Sequence, residues 1–79
     1  MQRFYFDVHN SEGVETDNDG QLFPSREQAR IEAIRILHDI AYDEMPDGQL
    51  VKFTVKVRSE GSQIFEASLT LTSGWSGCG

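Results

Sequence analysis

Alternation of apolar and polar residues marks this chain as a protein of half-buried strands. In residues 3–9, Phe4, Phe6 and Val8 fall on one face and Arg3, Tyr5, Asp7 and His9 on the other, the two-residue period of a strand with one face in a core. Asn10-Ser11-Glu12-Gly13 reads as a turn, Val14 to Thr16 as a short second strand, and Asp17-Asn18-Asp19-Gly20 as its end. Residues 50–58 alternate again, with Val51, Phe53, Val55 and Val57 inward and Lys52, Thr54, Lys56 and Arg58 outward. Ser59-Glu60-Gly61-Ser62 is a hairpin turn. It leads into residues 64–72, with Phe65, Ala67, Leu69 and Leu71 inward and Ile64, Glu66, Ser68, Thr70 and Thr72 outward.

Between the two hairpins the period changes. Leu22 and Phe23 approach a helix start, Pro24 sets an extended entry, and Ser25 with Gln28 forms a capping box. The pattern predicts a helix from Arg26 to about Glu44, stopped by Pro46-Asp47-Gly48. At 100° per residue, Ala29, Ala33, Ile36, Leu37 and Ile40 form one core stripe, flanked by Ile34 and Ala41. Ile31, His38, Tyr42 and Met45 lie beyond the reach of a sheet, and Gln28, Glu32, Arg35, Asp39 and Asp43 make a narrow polar stripe. The helix is therefore more apolar than one sheet requires. Ile31, Ile34, His38 and Tyr42 are the candidate binding residues, through which two copies could pack as a homodimer. An alternative dimer would pair exposed edge strands.

The expected architecture is an α+β fold in the order β-β-α-β-β: an antiparallel four-stranded sheet with one long helix packed on one face. Either hairpin could lie at its centre. Residues 1–72 read as a single domain and residues 73–79, with Trp75 and Cys78, as a flexible Gly/Ser-rich tail. A chain of 79 residues buries only about 60–65% of its unfolded surface, which leaves a thin stability margin and favours a partner subunit.

Charge and cysteine content narrow the functional classes. The net charge of −6, from 13 acidic and 7 basic residues, argues against nucleic-acid binding, which draws its affinity from phosphate neutralisation. The lone Cys78 fits a reducing compartment, no signal peptide is expected, and no apolar run is long enough for a membrane span, so the expected location is cytoplasmic.

Each patch of candidate chemistry has a plainer explanation. Taking Glu15 as first position, Asp17, Asp19 and Gly20 match three positions of an EF-hand loop, but Arg26 stands where a bidentate Glu is required, so an acidic turn is expected instead. Asp7 and His9 with Tyr5 could perform acid–base work, yet no nucleophile accompanies them. Cys78 has no assignable activating base. Arg3, Lys52, Lys56 and Arg58 share the outward face with Tyr5, Asp7 and Glu66, a set explained by cross-strand ion pairing. Arg30, on the apolar side of the helix, either lays its stem along the helix edge, pairs with Asp7 or Asp17, or binds an anion. No catalytic set, metal site or cofactor motif emerges.

Several segments together resemble a family of small proteins of unknown function abundant in rhizobia and related alphaproteobacteria. They are residues 3–10, Asp17-Asn18-Asp19-Gly20, Ala29-Arg30-Ile31-Glu32-Ala33, Asp43-Glu44-Met45-Pro46-Asp47-Gly48 and Val57-Arg58. The resemblance runs from about Gln2 to Leu71 and implies a bacterial, cytoplasmic protein, with no activity, cofactor or catalytic residue attached. A weaker likeness, of fold alone, is to the HicB-type antitoxins. Two functional expectations follow: a non-enzymatic binding or assembly module that self-associates, or an antitoxin-like regulator whose acidic surface binds a basic protein partner.

Overall fold

The computed structural model describes residues 1–10, 13–43, 51–72 and 76–77, with Asp43 described in its backbone alone. The elements are β1 (Gln2–Asn10), β2 (Gly13–Glu15), β3 (Gln21–Phe23), α1 (Arg26–Asp43), β4 (Val51–Ser59) and β5 (Ser62–Leu71). The expected helix stop at Pro46-Asp47-Gly48, and Ser11, Glu12, Met45, Trp75 and Cys78, lie outside the described residues.

The fold is α+β, with an antiparallel sheet and one long helix against it, as the alternation predicts. The sheet has five strands rather than four. Its order is β2-β1-β4-β5, with β3 also paired to β1, which puts β1 and β4 at the centre and leaves neither hairpin central as a unit. The additional strand is β3, where Leu22 and Phe23 were expected only to lead into the helix. Gln2 pairs with Phe23 and Phe4 with Gln21. The same edge of β1 pairs further along with β2, from Val8–Glu15 to Asn10–Gly13. One edge of β1 is thus shared by two short strands, and the other pairs with β4 over residues 5–9.

The core is the product of the inward sets. Phe4, Phe6, Phe53, Val55 and Val57 from the sheet and Ala29, Ala33 and Leu37 from α1 are buried together, with Val8, Phe23, Ile36, Ile40, Phe65, Ala67 and Leu69 packed around them. The alanines let the helix backbone approach β4 closely, and the phenylalanines fill the space on either side. Phe23 sets its ring against Phe4 and Phe6 at 6.2 and 5.9 Å, so β3 contributes an aromatic to the core as well as a ladder. Ser25 caps the helix: its hydroxyl accepts the Gln28 amide at 3.2 Å, and its carbonyl accepts the Ala29 amide at 3.3 Å.

The β4–β5 hairpin closes through Glu60 and Gly61, both at positive φ (52° and 82°), between the paired residues Ser59 and Ser62. This is the two-residue turn whose twist matches a hairpin. A register shift follows, since Val57 pairs with Phe65 but Arg58 with Gln63. Ile64 is the extra residue of that bulge. It packs partly against the core, where strict alternation would have turned it outward.

Candidate functional site

The segment from Asp17 to Gly20 sits in the gap between β2 and β3, against the middle of β1. The Asp17 carboxylate is committed to backbone. Its Oδ2 accepts the Phe6 amide at 3.1 Å, and its Oδ1 accepts the amides of Asp19 and Gly20 at 3.1 and 3.0 Å. Phe6 would otherwise present an unpaired N–H at a point where no strand lies alongside, so a side chain completes what the strands leave open. Burial raises the Asp17 carboxyl pKa as the largest single influence. The three donated hydrogen bonds together outweigh it and hold the group below its ordinary value. Gly20 is required here for two reasons: its φ is +71°, and a Cβ would stand 2.8 Å from Arg3 Cγ and 3.0 Å from the Phe4 carbonyl.

Asp7 extends this network across the sheet. Although it lies on the face opposite the helix, it is only 8% exposed. It accepts Arg58 Nε at 2.6 Å and Nη2 at 3.1 Å, and also the Asp17 amide at 3.0 Å. Arg58 Nη2 donates in addition to the Asp17 carbonyl at 2.9 Å, and its guanidinium carbon lies 5.0 Å from the centre of the Tyr5 ring. The Arg58 hydrogen bonds are the chief reason the Asp7 carboxyl pKa is lowered. Tyr5, Asp7, Asp17 and Arg58 therefore form one structural unit that ties β1, β4 and the Asp17–Gly20 segment together.

These contacts bear on the sequence candidates on this face. Of the acid–base trio Tyr5, Asp7 and His9, Asp7 and Tyr5 are both engaged with Arg58. The Asp17 oxygens that a calcium loop would use each accept backbone amides, the arrangement of an acidic turn. Among the described residues, no group of three His, Cys, Asp or Glu is placed to hold a metal ion. Two of the four basic residues expected to pair on the outer face do so across strands, Arg58 with Asp7 and Lys56 with Glu66 at 3.9 Å, whereas Arg3 donates to the Asp19 carbonyl at 2.8 Å. Arg30 pairs with neither Asp7 nor Asp17. It bonds Glu27 one turn earlier, and Asp7 already has its arginine.

The helix places the four candidate binding residues in two groups. Arg26, Glu27, Ala29 and Arg30 line a small crevice with Val57, Ile64 and Phe65, so this flank of α1 faces the start of β5. Ile36, on the opposite flank, lines a cleft with residues of β1 and the Asp17–Gly20 segment. Ile34 and His38 continue the Arg30 flank by the 100° period, half-buried and exposed respectively. Ile31, 49% exposed, and Tyr42, 83% exposed, lie further round toward solvent. On the narrow polar stripe Arg35 bridges Glu32 and Asp39.

The β5 edge adds to this side of the molecule. β5 pairs with β4 on one side, and among the described residues no strand pairs with its other side. The second cleft, of ≈ 400 Å³, has Phe6, Val8 and Ile36 as its apolar floor and Glu15, Asp17 and Asp19 at its rim. No described helix is long and apolar enough to cross a membrane.

These features define a small α+β domain with a single helix on an antiparallel sheet and side-chain contacts sealing one of its edges. Over residues 3–70 the chain matches the model of a domain of unknown function, DUF6894, and it belongs to that family. No curated protein and no solved structure matches the chain.

Proposed function

We propose that this chain is a non-enzymatic assembly module that binds a second copy of itself through the side formed by the β5-facing flank of α1 and the edge of β5. The observation that supports this is a coincidence of place. The helix flank carrying Ile34 and His38, with Ile31 and Tyr42 beyond it, lies next to the strand edge that no described strand covers. Exposed apolar area and open backbone on one side are what a protein interface covers. In this reading the protein works in a bacterial cytoplasm, which suits an unpaired Cys78.

Sedimentation or light scattering over a concentration series tests the reading. A dimer is expected at micromolar concentration. Ile34→Asp should weaken it, with His38→Glu as a second variant at an exposed position. A monomer at several hundred micromolar overturns the reading.

A second reading, a regulator that binds a basic protein, is favoured by the cleft over Phe6, Val8 and Ile36, where Glu15 and Asp19 at the rim would meet cationic side chains. Salt separates the two. Self-association of a chain with net charge −6 tightens as salt screens its repulsion, whereas capture of a basic partner weakens.

A further inference from the structure

We infer that the second copy is added by antiparallel pairing of β5 with β5 about a two-fold axis at Ser68, giving one continuous sheet across the dimer. The inference rests on the self-association reading and specifies its geometry.

The first argument is that, past its bulge at Ile64, β5 carries within the strand itself few of the devices that protect an edge. It is 10 residues long, contains no Pro and no Lys or Arg, and after the bulge at Ile64 runs regularly against β4 from Phe65 to Leu71. Edge strands in stable monomers are normally short, kinked, or interrupted by charge. Glu66 is the one charge in this strand.

The second argument is self-complementarity. In antiparallel pairing, residues directly opposite each other share a face of the sheet. A two-fold at Glu66 would set two carboxylates against each other. A two-fold at Ala67 would bring Ile64, the bulged residue, opposite Thr70 and so confine the regular ladder to residues 65–69. A two-fold at Ser68 uses the whole bulge-free run 65–71. On the helix side it places Phe65 against Leu71 and Ala67 against Leu69, each twice. On the outer side it places Glu66 against Thr70 and Ser68 against itself, so no like charges meet.

The third argument is that this geometry brings the two helix flanks face to face. The two helices, each lying over β4, would stand about three strand spacings apart, roughly 14 Å. Helices with their side chains are about 10–12 Å across. Ile34 and His38 of one copy would therefore face the same flank of the other across a narrow groove, about 2–4 Å wide, floored by Phe65 and Leu69, which are half-buried in one copy.

The test is a charge exchange at the axis, read in the full chain. Ser68 is exposed and bonded only to the Thr54 hydroxyl at 3.0 Å among the contacts described for it, so its replacement should leave the monomer folded, as circular dichroism would verify. Ser68→Lys and Ser68→Glu should each raise the dimer dissociation constant about two- to fivefold, since like charges then face each other at the axis. Mixing the two variants should restore a dimer at least as tight as the wild type. A wild-type chain monomeric at several hundred micromolar overturns this inference and the self-association reading together. A wild-type dimer indifferent to both Ser68 variants but weakened by Ile34→Asp overturns the edge pairing alone. Tightening by Ser68→Lys by itself, as expected if the introduced ammonium met Glu66 of the other copy, overturns the Ser68-centred pairing.

Discussion

The two edges of this sheet are treated in opposite ways. On the β1 side, β2 and β3 pair with the two ends of one strand, and the Asp17 carboxylate takes the amide left between them. On the β5 side the backbone ends in a long regular strand with no described neighbour. The first edge consists of two three-residue strands held on β1 by a cluster of specific contacts that tolerates little change. The second is built from alternation alone, and at its turn a Cβ on Gly61 would have nothing within 4 Å. Positions of similar appearance in sequence thus carry very different energetic weight. Gly20 and Gly61 both take positive φ within turns, but of the two only Gly20 has another part of the chain within 4 Å of where a Cβ would stand.

The largest effect is expected at Gly20. Gly20→Ala adds a Cβ within 3.0 Å of the Phe4 carbonyl and puts a side chain at φ +71°. Left-handed strain and overpacking together should lower stability by about 3 kcal/mol, seen as an earlier urea midpoint. A fully stable Gly20→Ala variant would mean that the sealed edge is not under the constraint described.

The next is Asp17→Ala, which removes the acceptor of the Phe6, Asp19 and Gly20 amides. Water can replace it for the two loop amides, so the cost should be about 2 kcal/mol, mostly from Phe6. The same carboxylate shapes the response to acid. Asp7 and Asp17 both have folded-state pKa values below the ordinary 3.8. Their contribution to stability is therefore full above the unfolded value and is lost as pH falls through the lowered folded values. Wild-type stability should decline as pH drops below about 4, and the decline should be shallower in Asp17→Ala. Urea titrations between neutral pH and about pH 2 measure both quantities.

The smallest effect belongs to the open side. Gly61 also has positive φ, +82°, but a Cβ there would meet nothing within 4 Å. Gly61→Ala should cost only the backbone strain, about 1 kcal/mol. If it proved as damaging as Gly20→Ala, the difference drawn between the two edges would fail.

Much of the fold was legible because it rests on local periodicity. The inward residues of β1 and β4, the alanine-lined helix stripe and the Ser25 cap all follow from spacing that one element imposes on its own residues. β3 was not legible. Gln21-Leu22-Phe23 is too short to show a period, and it becomes a strand because Phe23 packs on Phe4 and Phe6 and the backbone lies along β1. Ile64 was misassigned for a related reason: a bulge shifts the alternation by one residue, and only pairing with β4 reveals it. The Asp7–Arg58–Asp17 unit joins residues 51 apart in the chain and had no local signal beyond an Asp at an otherwise ordinary outward position. Of the candidate binding residues, the excess of apolar area on the helix was readable, but its division into Ile34 and His38 beside β5 and Ile31 and Tyr42 beyond them was not.

The order of residues alone was enough to say which of them face a core, where the helix begins, and that the fold is α+β, since each of these is written in the period of a single element. That β1 and β4 are central, that a carboxylate fills the gap along β1 between β2 and β3, and that the open edge lies beside the helix flank leading to Ile34 emerged only on folding. Those are relations between segments far apart in the chain, and they are selected by the burial of Phe4, Phe6 and Phe23 together and by the need to satisfy the backbone amides at the sheet's edge.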